Sequence, residues 1–139
     1  NYGNLCQRVL AFCEKNADLK VPDIDTLTDD DKFILNQYSK YYDDLVKYSD
    51  NQDVNSYINF IVEQLFSANK YFNDQEPWKK KNDKLRMNTI IYVALELIRK
   101  VTILLYPIIP DSSLKVLEIF SINENEVKFE TVKENNYYP

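Results

Sequence analysis

Glycine is nearly absent from this chain of 139 residues, and its scarcity restricts the fold more than any other feature of the sequence. Gly3 is the only glycine, and there are five prolines. A sheet protein with many tight turns needs glycine where the backbone takes positive φ angles. The sequence therefore predicts long helices joined by few turns, and its length fits one domain with one core.

Several stretches place apolar residues three or four positions apart, the spacing that lines one face of an amphipathic helix. Thr28, Asp53 and Asp111 precede such stretches and are predicted N-caps, because their side-chain oxygens can accept hydrogen bonds from free backbone N–H groups. About five such helices most simply form an all-α, antiparallel helical bundle. The predicted helices are Tyr2 to about Glu14, Asp29 to about Tyr48, Val54 to about Gln75, Asp83 to Tyr106, and Ser112 to Phe120.

The residues outside these helices are predicted to form a loop and a tail. A loop is expected over Asp18 to Asp25, where Pro22 disfavours a helix. The C-terminal part is acidic and weakly patterned, so we expect a bundle over residues 1–120 and a tail over residues 121–139. Within the tail, an extended piece is predicted at Val127 to Val132. Because the chain opens at Asn1 without an initiator methionine, we expect it to be a domain excised from a longer protein.

The composition excludes several kinds of catalytic and metal site. Histidine is absent, which removes the commonest general base and the commonest metal ligand. Cys6 and Cys13 lack partners for a zinc site, and on one helix they would lie about 10 Å apart, beyond the reach of a disulfide. We expect them to be reduced and buried, which fits a cytoplasmic protein. No catalytic residue, metal ligand or cofactor site is predicted, and no stretch is long and apolar enough to span a membrane.

The strongest candidate for a binding site is Pro77-Trp78, followed by Lys79, Lys80 and Lys81. Trp78 is the only tryptophan, and it lies where one helical pattern ends. A flat ring beside cations suits single-stranded nucleic acid, because the ring accepts a base while the cations meet phosphates. The alternative is structural, with Trp78 plugging the end of the bundle and the lysines forming a solvated turn. The net charge of −5 argues against a general nucleic-acid coat but not against a local patch.

Three short segments, read together and in order, resemble a known family. The first is N-L-C-Q-R at residues 4–8, the second is A-N-K-Y at 68–71 with P-W at 77–78, and the third is L-Y-P-I-I-P at 105–110. They resemble the patterns N-L-x-x-R, A-N-x-Y followed by P-W, and L-x-P-x-x-P of the C-terminal anticodon-binding domain of methionyl-tRNA synthetase. The resemblance spans roughly residues 1–120.

This resemblance implies roles in RNA binding for particular residues. It implies that Trp78 stacks on an anticodon base and that Asn4 and Arg8 help to read a C-A-U anticodon. Pro77 would shape the turn that carries Trp78. Supporting contacts to phosphates are expected from Lys79, Lys80 and Lys81, whereas the matching residues Asn69 and Tyr71 look structural.

The same resemblance implies that the parent enzyme is an ATP-dependent methionine–tRNA ligase, a class I aminoacyl-tRNA synthetase. Its catalytic domain would activate methionine with ATP and Mg²⁺ and transfer it to tRNA. This chain has no H-I-G-H-type or K-M-S-K-S-type motif and no Rossmann pattern, so the fragment itself is expected to be non-catalytic and without a cofactor. The expected partners are the anticodon stem-loop of tRNA(Met) and the catalytic domain of the same cytoplasmic enzyme, with no membrane contact.

Two alternatives stay open at this point. The class I synthetases for leucine, isoleucine and valine carry related bundles, although the Pro77-Trp78 pair favours methionine. The other alternative is a helical interaction module that does not bind RNA. RNA reading predicts that Trp78, Asn4 and Arg8 face one solvent-open surface, whereas the structural alternative predicts that Trp78 is buried.

Overall fold

The computed structural model describes residues 2–17, 24, 26–119 and 128–133, which form helices joined by turns, without any strand. The predicted all-α class is confirmed. Within the described ranges, two short 3-10 helices, Pro77–Lys79 and Phe129–Lys133, accompany the α-helices. The α-helices of these residues are α1 (Tyr2–Ala17), α2 (Asp29–Lys40), α3 (Tyr42–Asp50), α4 (Val54–Gln75), α5 (Lys84–Leu105) and α6 (Pro110–Ile119).

Helix α5 lies at the centre of the bundle, and α1, α2, α4 and α6 pack around it. Every residue from Thr89 to Leu104 is buried, as the wide apolar stripe of this segment predicts. The helix nevertheless contains Glu96, Arg99 and Lys100. In the described part of the chain, no helix combines the length and the apolar character needed to cross a membrane.

The polar groups inside α5 tie it to its neighbours. Arg99 Nε donates to Glu96 Oε2 at 2.9 Å, and the same guanidinium donates to the backbone oxygen of Thr131 at 3.3 Å. Lys100 Nζ donates to the backbone oxygen of Leu35 on α2 at 3.2 Å. The buried charges therefore pair with each other or with backbone carbonyls, as burial of a charge requires.

The prediction of an extended segment at Val127 to Val132 is wrong for the residues that the structure describes. Phe129–Lys133 is a 3-10 helix that packs on α2 and α5. Phe129 contacts the rings of Tyr42 and Tyr57, and Val132 is fully buried. The three-residue spacing of Phe129 and Val132 suits a 3-10 turn, which brings i and i+3 to one side. Val127 lies outside the described residues.

The single helix predicted from Asp29 to Tyr48 is divided into α2 and α3 at Tyr41. Tyr41 has φ −102° and ψ 11°, outside α-helical geometry, although its N–H still bonds to Gln37 O at 3.0 Å. The bend lets α3 pack on α4, and the Tyr41 ring meets Phe60 edge-on at 5.9 Å. The helical spacing of apolar residues continues from α2 into α3, so it could not indicate the bend or this tertiary contact.

The N-caps predicted at Thr28 and Asp53 are confirmed, whereas the one predicted at Asp111 is wrong. Thr28, Asp53 and Asp83 each accept a hydrogen bond from a first-turn N–H of α2, α4 and α5. Helix α6 instead begins at Pro110, so Asp111 lies inside its first turn and is not the cap. Proline suits the first helical position because its φ is already helical and its missing N–H is not needed there.

Helix α1 extends to Ala17, three residues beyond the predicted end at Glu14. Cys6 and Cys13 are buried and form no disulfide, as predicted. Phe120 and, apart from Ile24, the predicted loop Asp18 to Asp25 lie outside the described residues.

Candidate nucleic-acid interface

A tight turn after α4 presents Trp78. Helix α4 ends at Gln75, and Glu76 follows in the left-handed region with φ 47°. Pro77 then begins a 3-10 turn in which Lys79 N–H donates to Glu76 O at 2.9 Å. Proline disfavours α-helical geometry at the residue before it, so the chain leaves the helix axis at Glu76. Pro77 is buried and anchors the turn, whereas 41% of Trp78 is exposed.

The indole rests on an aromatic contact at one side. Its ring meets the buried ring of Phe72 edge-on, with centroids 6.0 Å apart. Phe72 in turn meets Phe12 of α1 edge-on at 5.9 Å. Edge-to-face pairs of this kind are favourable beyond the area that they bury. The exposure of Trp78 does not match the alternative in which this ring plugs the bundle.

Arg8 lies beside the same aromatic ring. Its guanidinium carbon is 5.5 Å from the centroid of Phe72, within the range of a cation–π contact. Arg8 also donates to the amide oxygens of Asn69, at 3.4 Å, and of Asn73. Two residues 70 positions apart, Arg8 and Trp78, are thus brought together around one phenylalanine. Asn4 lies one turn before Arg8 and is exposed on the same helix.

Asn69 and Asn73 orient the side chain of Arg8. Asn73 was not among the site residues predicted from the sequence. Asn69 Nδ2 donates to the backbone oxygen of Leu65 at 3.0 Å, which turns its amide oxygen toward Arg8. The two asparagines are four residues apart and so stack on one face of α4. That spacing repeats the spacing of Asn4 and Arg8 on α1, and it is the signal that could have drawn attention to Asn73.

The three lysines differ in what they contact. Lys79 Nζ lies 2.7 Å from a carboxylate oxygen of Glu76, and both side chains are exposed. Lys80 Nζ donates to the backbone oxygen of Gln75 at 2.6 Å and so caps the end of α4. Lys81 is exposed. Lys80 therefore has a structural contact that the sequence did not reveal.

A second polar cluster, missed from the sequence, lies behind the turn. Arg86 of α5 donates from Nη1 to Asp31 Oδ2 at 2.6 Å and from Nη2 to Asp31 Oδ1 at 3.1 Å. Tyr71 O–H donates to Asp31 Oδ1 at 2.6 Å. Arg86 Nη2 also donates to Gln75 Oε1, at 2.8 Å. The cluster joins the start of α2, the end of α4 and the start of α5.

The Asp31 carboxyl group is completely buried, and its partners in this cluster favour its charged form. Burial by itself would raise the pKa of its carboxyl group. Hydrogen bonds from Arg86, Tyr71 and the Thr28 backbone, together with the charge of Arg86, outweigh burial and lower the pKa below its ordinary value. Asp31 and Arg86 therefore form one bidentate ion pair between α2 and α5.

The chemistry that the site offers is that of recognition. It combines an exposed indole, an oriented guanidinium and side-chain amides, which can stack on bases and hydrogen-bond to their edges. Among the residues that the structure describes, no three His, Cys, Asp or Glu side chains cluster in a way that could hold a metal ion.

Comparison with known proteins agrees with this geometry. The family model described as the anticodon-binding domain of methionyl tRNA ligase matches residues 21–136. Methionine–tRNA ligase of Brucella suis is 37% identical over 131 residues, covering 94% of this chain and 25% of that protein. The ligase of Rickettsia conorii is 34% identical, covering 91% of this chain and 26% of that protein.

Solved structures agree as well. The free form of Mycobacterium tuberculosis methionyl-tRNA synthetase matches with a TM-score of 0.87 and 29% identity, over 98% of this chain and 29% of that one. The same synthetase in complex with methionyl-adenylate matches with a TM-score of 0.87 and 31% identity, over 94% of this chain and 26% of that one. The chain thus spans about a quarter of the length of the curated relatives that it matches. It belongs to the family of anticodon-binding domains of methionyl-tRNA ligases.

Proposed function

We propose that this domain recognises the C-A-U anticodon loop of methionine tRNA on the surface formed by Asn4, Arg8 and Trp78. The observation that carries the proposal is the placement of Arg8 and Trp78 around Phe72, with the indole exposed. Anticodon bases are unpaired and can be splayed out of the loop, which is the form in which proteins read RNA sequence.

Each side chain has a distinct task in this proposal. Trp78 stacks on a base and contributes about 1–3 kcal/mol, with little preference between bases. Base choice then depends on Arg8, whose planar fork of donors can grip a base edge, and on Asn4, which offers both a donor and an acceptor. Asn69 and Asn73 hold the fork of Arg8 in one orientation, so less entropy is lost when RNA binds.

Pro77 and the lysines support this surface. Pro77 sets the turn, while Lys79, Lys80 and Lys81 place positive charge beside the indole, where the phosphates of a bound loop would pass. Lys81 is the strongest candidate for a phosphate contact, because Lys79 is paired with Glu76 and Lys80 caps α4. Such contacts contribute affinity without sequence preference.

The proposal extends to a parent enzyme, a cytoplasmic ATP-dependent methionine–tRNA ligase. Relatives with that name are about four times as long as this chain, and one has been solved with methionyl-adenylate, the product of methionine and ATP. The remaining part of such a parent would activate methionine, with ATP and Mg²⁺, and transfer it to tRNA. The present domain would contribute the choice of tRNA.

The test is the binding of a C-A-U stem-loop to the Trp78→Ala variant, measured by fluorescence polarisation of labelled RNA. We expect the affinity to fall about 5- to 150-fold, the loss that corresponds to one stacked base. Phe33→Ala is the matched control, because it removes an aromatic ring that is 67% exposed on α2. Equal affinity of wild type and Trp78→Ala, with both folded, contradicts the stacking role.

Binding of other loops separates the proposal from its nearest alternative. An anticodon domain for leucine, isoleucine or valine would bind the corresponding loop more tightly than the C-A-U loop. A domain that bound all loops equally would contradict sequence reading by Arg8 and Asn4.

A further inference from the structure

The side chain of Gln75 connects the turn that carries Trp78 to a buried ion pair. Gln75 is the last residue of α4, and its Oε1 accepts from Arg86 Nη2 at 2.8 Å. Its backbone oxygen accepts from Lys80 Nζ at 2.6 Å. The residue that precedes the tight turn is therefore held from both its side chain and its backbone.

Arg86 is itself held in one position. Both of its terminal nitrogens donate to the carboxylate of Asp31, which is fully buried. A bidentate arginine–carboxylate pair restricts the guanidinium plane as well as its distance. The third contact of this guanidinium, to Gln75, is thus made by a group with little freedom of its own.

The turn connects Gln75, which is held in place, to the indole of Trp78. Only Glu76 and Pro77 separate Gln75 from Trp78, and Lys80 N–H donates back to Pro77 O at 3.0 Å. The ring of proline removes one further rotation from this short link. On the other side, the Trp78 ring meets the ring of Phe72 edge-on, and 41% of the residue is exposed. An edge-on contact tolerates a range of ring angles and separations, so the turn is a further restraint on where the indole lies.

We propose that Arg86, anchored by Asp31, acts through Gln75 as a positioning residue that sets the placement of Trp78 for base stacking. The proposal rests on the proposed function of Trp78 and deepens it. It assigns a role in RNA affinity to a hydrogen bond that does not itself reach the RNA-binding surface. A pre-placed ring binds more tightly because less freedom is lost on association.

Gln75→Ala removes only the side-chain link. The backbone oxygen that accepts from Lys80 remains, the Asp31–Arg86 pair remains, and alanine is a good helix former. Tyr71→Phe is the matched control, because it removes a hydrogen bond to the same carboxylate without touching Gln75. Gln75→Glu is the conservative variant, since it keeps an acceptor oxygen for Arg86.

Two readouts are measured on each variant. The first is the time-resolved fluorescence anisotropy of Trp78 without RNA, which reports this residue alone because the chain has one tryptophan. The second is the affinity for the C-A-U stem-loop. We expect Gln75→Ala to increase the mobility of Trp78 and to weaken binding about 3- to 10-fold, the cost of ordering one more side chain. Tyr71→Phe should change neither, and Gln75→Glu should keep the indole as immobile as in wild type.

Three results overturn the proposal: unchanged Trp78 mobility in Gln75→Ala, increased mobility with unchanged affinity, or equal effects of Gln75→Ala and Tyr71→Phe. The last would mean that general destabilisation of the cluster explains the loss. A wild-type domain that binds no stem-loop overturns the proposed function instead, and the mobility measured without RNA then decides whether Gln75 positions the ring.

Discussion

Arg8 illustrates how an exposed cation can have one preferred orientation. It contacts an aromatic ring and two amide oxygens, and both amides come from a helix more than 60 positions away in the chain. A lysine at this position could not make the same fork, because its ammonium group is a point donor on a flexible stem. The contacts around Arg8 therefore favour arginine over lysine at this position, although both residues carry the same charge.

Lys100 is a buried residue whose protonation depends on its neighbours. Burial lowers the pKa of its ammonium group to about 8, with Glu96 opposing this shift and Arg99 adding to it. Across from α5, the group meets the backbone oxygen of Leu35 and the ring of Tyr38. Burial of a charge that is only partly compensated is the physical reason for the lowered pKa.

We predict that Lys100 makes the domain more stable as pH rises from about 8 toward about 10. In that range the unfolded chain keeps a proton on this lysine that the folded chain has released, so the free energy of unfolding increases with pH. Lys100→Met should remove this increase while keeping the side-chain volume. Urea unfolding of both proteins, followed by circular dichroism at about pH 7 and about pH 9.5, measures the difference. Parallel pH dependences of wild type and variant would contradict the prediction.

At the scale of elements, the start of α2 has two structural tasks. Thr28 and Asp31 form a capping box, in which each side chain accepts from the backbone N–H of the other residue. Asp31 also binds Arg86 of α5 and Tyr71 of α4. One carboxylate thus sets the first turn of a helix and joins three helices, so its charge state affects the packing of all of them.

We predict that Asp31 makes the domain sensitive to acid. Its folded pKa lies below the ordinary value of 3.8, so its contribution to stability is complete above about pH 4. That contribution is lost as pH falls through the lower, folded pKa. Asp31→Asn should be less stable than wild type at neutral pH and should lose less stability between about pH 4 and about pH 2.

Denaturant unfolding across this pH range measures the effect of Asp31. Asp29→Asn is the control, because it replaces an exposed acid in the same helical turn. An Asp31→Asn variant with an acid dependence as steep as that of wild type would contradict the assignment.

At the scale of the whole molecule, the domain carries a net charge of −5 although its proposed partner is RNA. Affinity for RNA must then depend on the few cations beside Trp78, and its dependence on salt should be shallow. Each neutralised phosphate contributes a slope of about −0.7 to a plot of log affinity against log salt for single strands. Because few phosphates are contacted, base recognition must supply a large share of the binding energy.

We predict that Lys81→Ala reduces the steepness of this salt dependence by about one phosphate contact and weakens binding to all loops alike. Lys79→Ala should have a smaller effect, because Lys79 has to leave Glu76 before it can meet a phosphate. Lys115→Ala, an exposed lysine on α6, is the control for net charge. Titrations of labelled RNA at several salt concentrations measure the slopes, and a Lys81→Ala variant that changed only the choice of anticodon would contradict this role.

The sequence by itself determined the features that depend on neighbours along the chain. Helical periodicity, the caps Thr28 and Asp53, and the exit from α4 at Pro77 all act within one or two turns of a helix, so the all-α class and most helix ends followed from local rules. The resemblance of three short segments to a known family also needed only the sequence, and it indicated the candidate site.

Only the tertiary structure decided the features that depend on packing between distant segments. The bend at Tyr41 places its ring against Phe60, and the 3-10 helix at Phe129 lies against the rings of Tyr42 and Tyr57. The partners of Arg8 on α4 and the pairing of Asp31 with Arg86 join residues more than 50 positions apart. Side-chain charge and shape specify such contacts only after the helices have been brought together, because periodicity shows which face of a helix is buried but not which residues of another helix it meets.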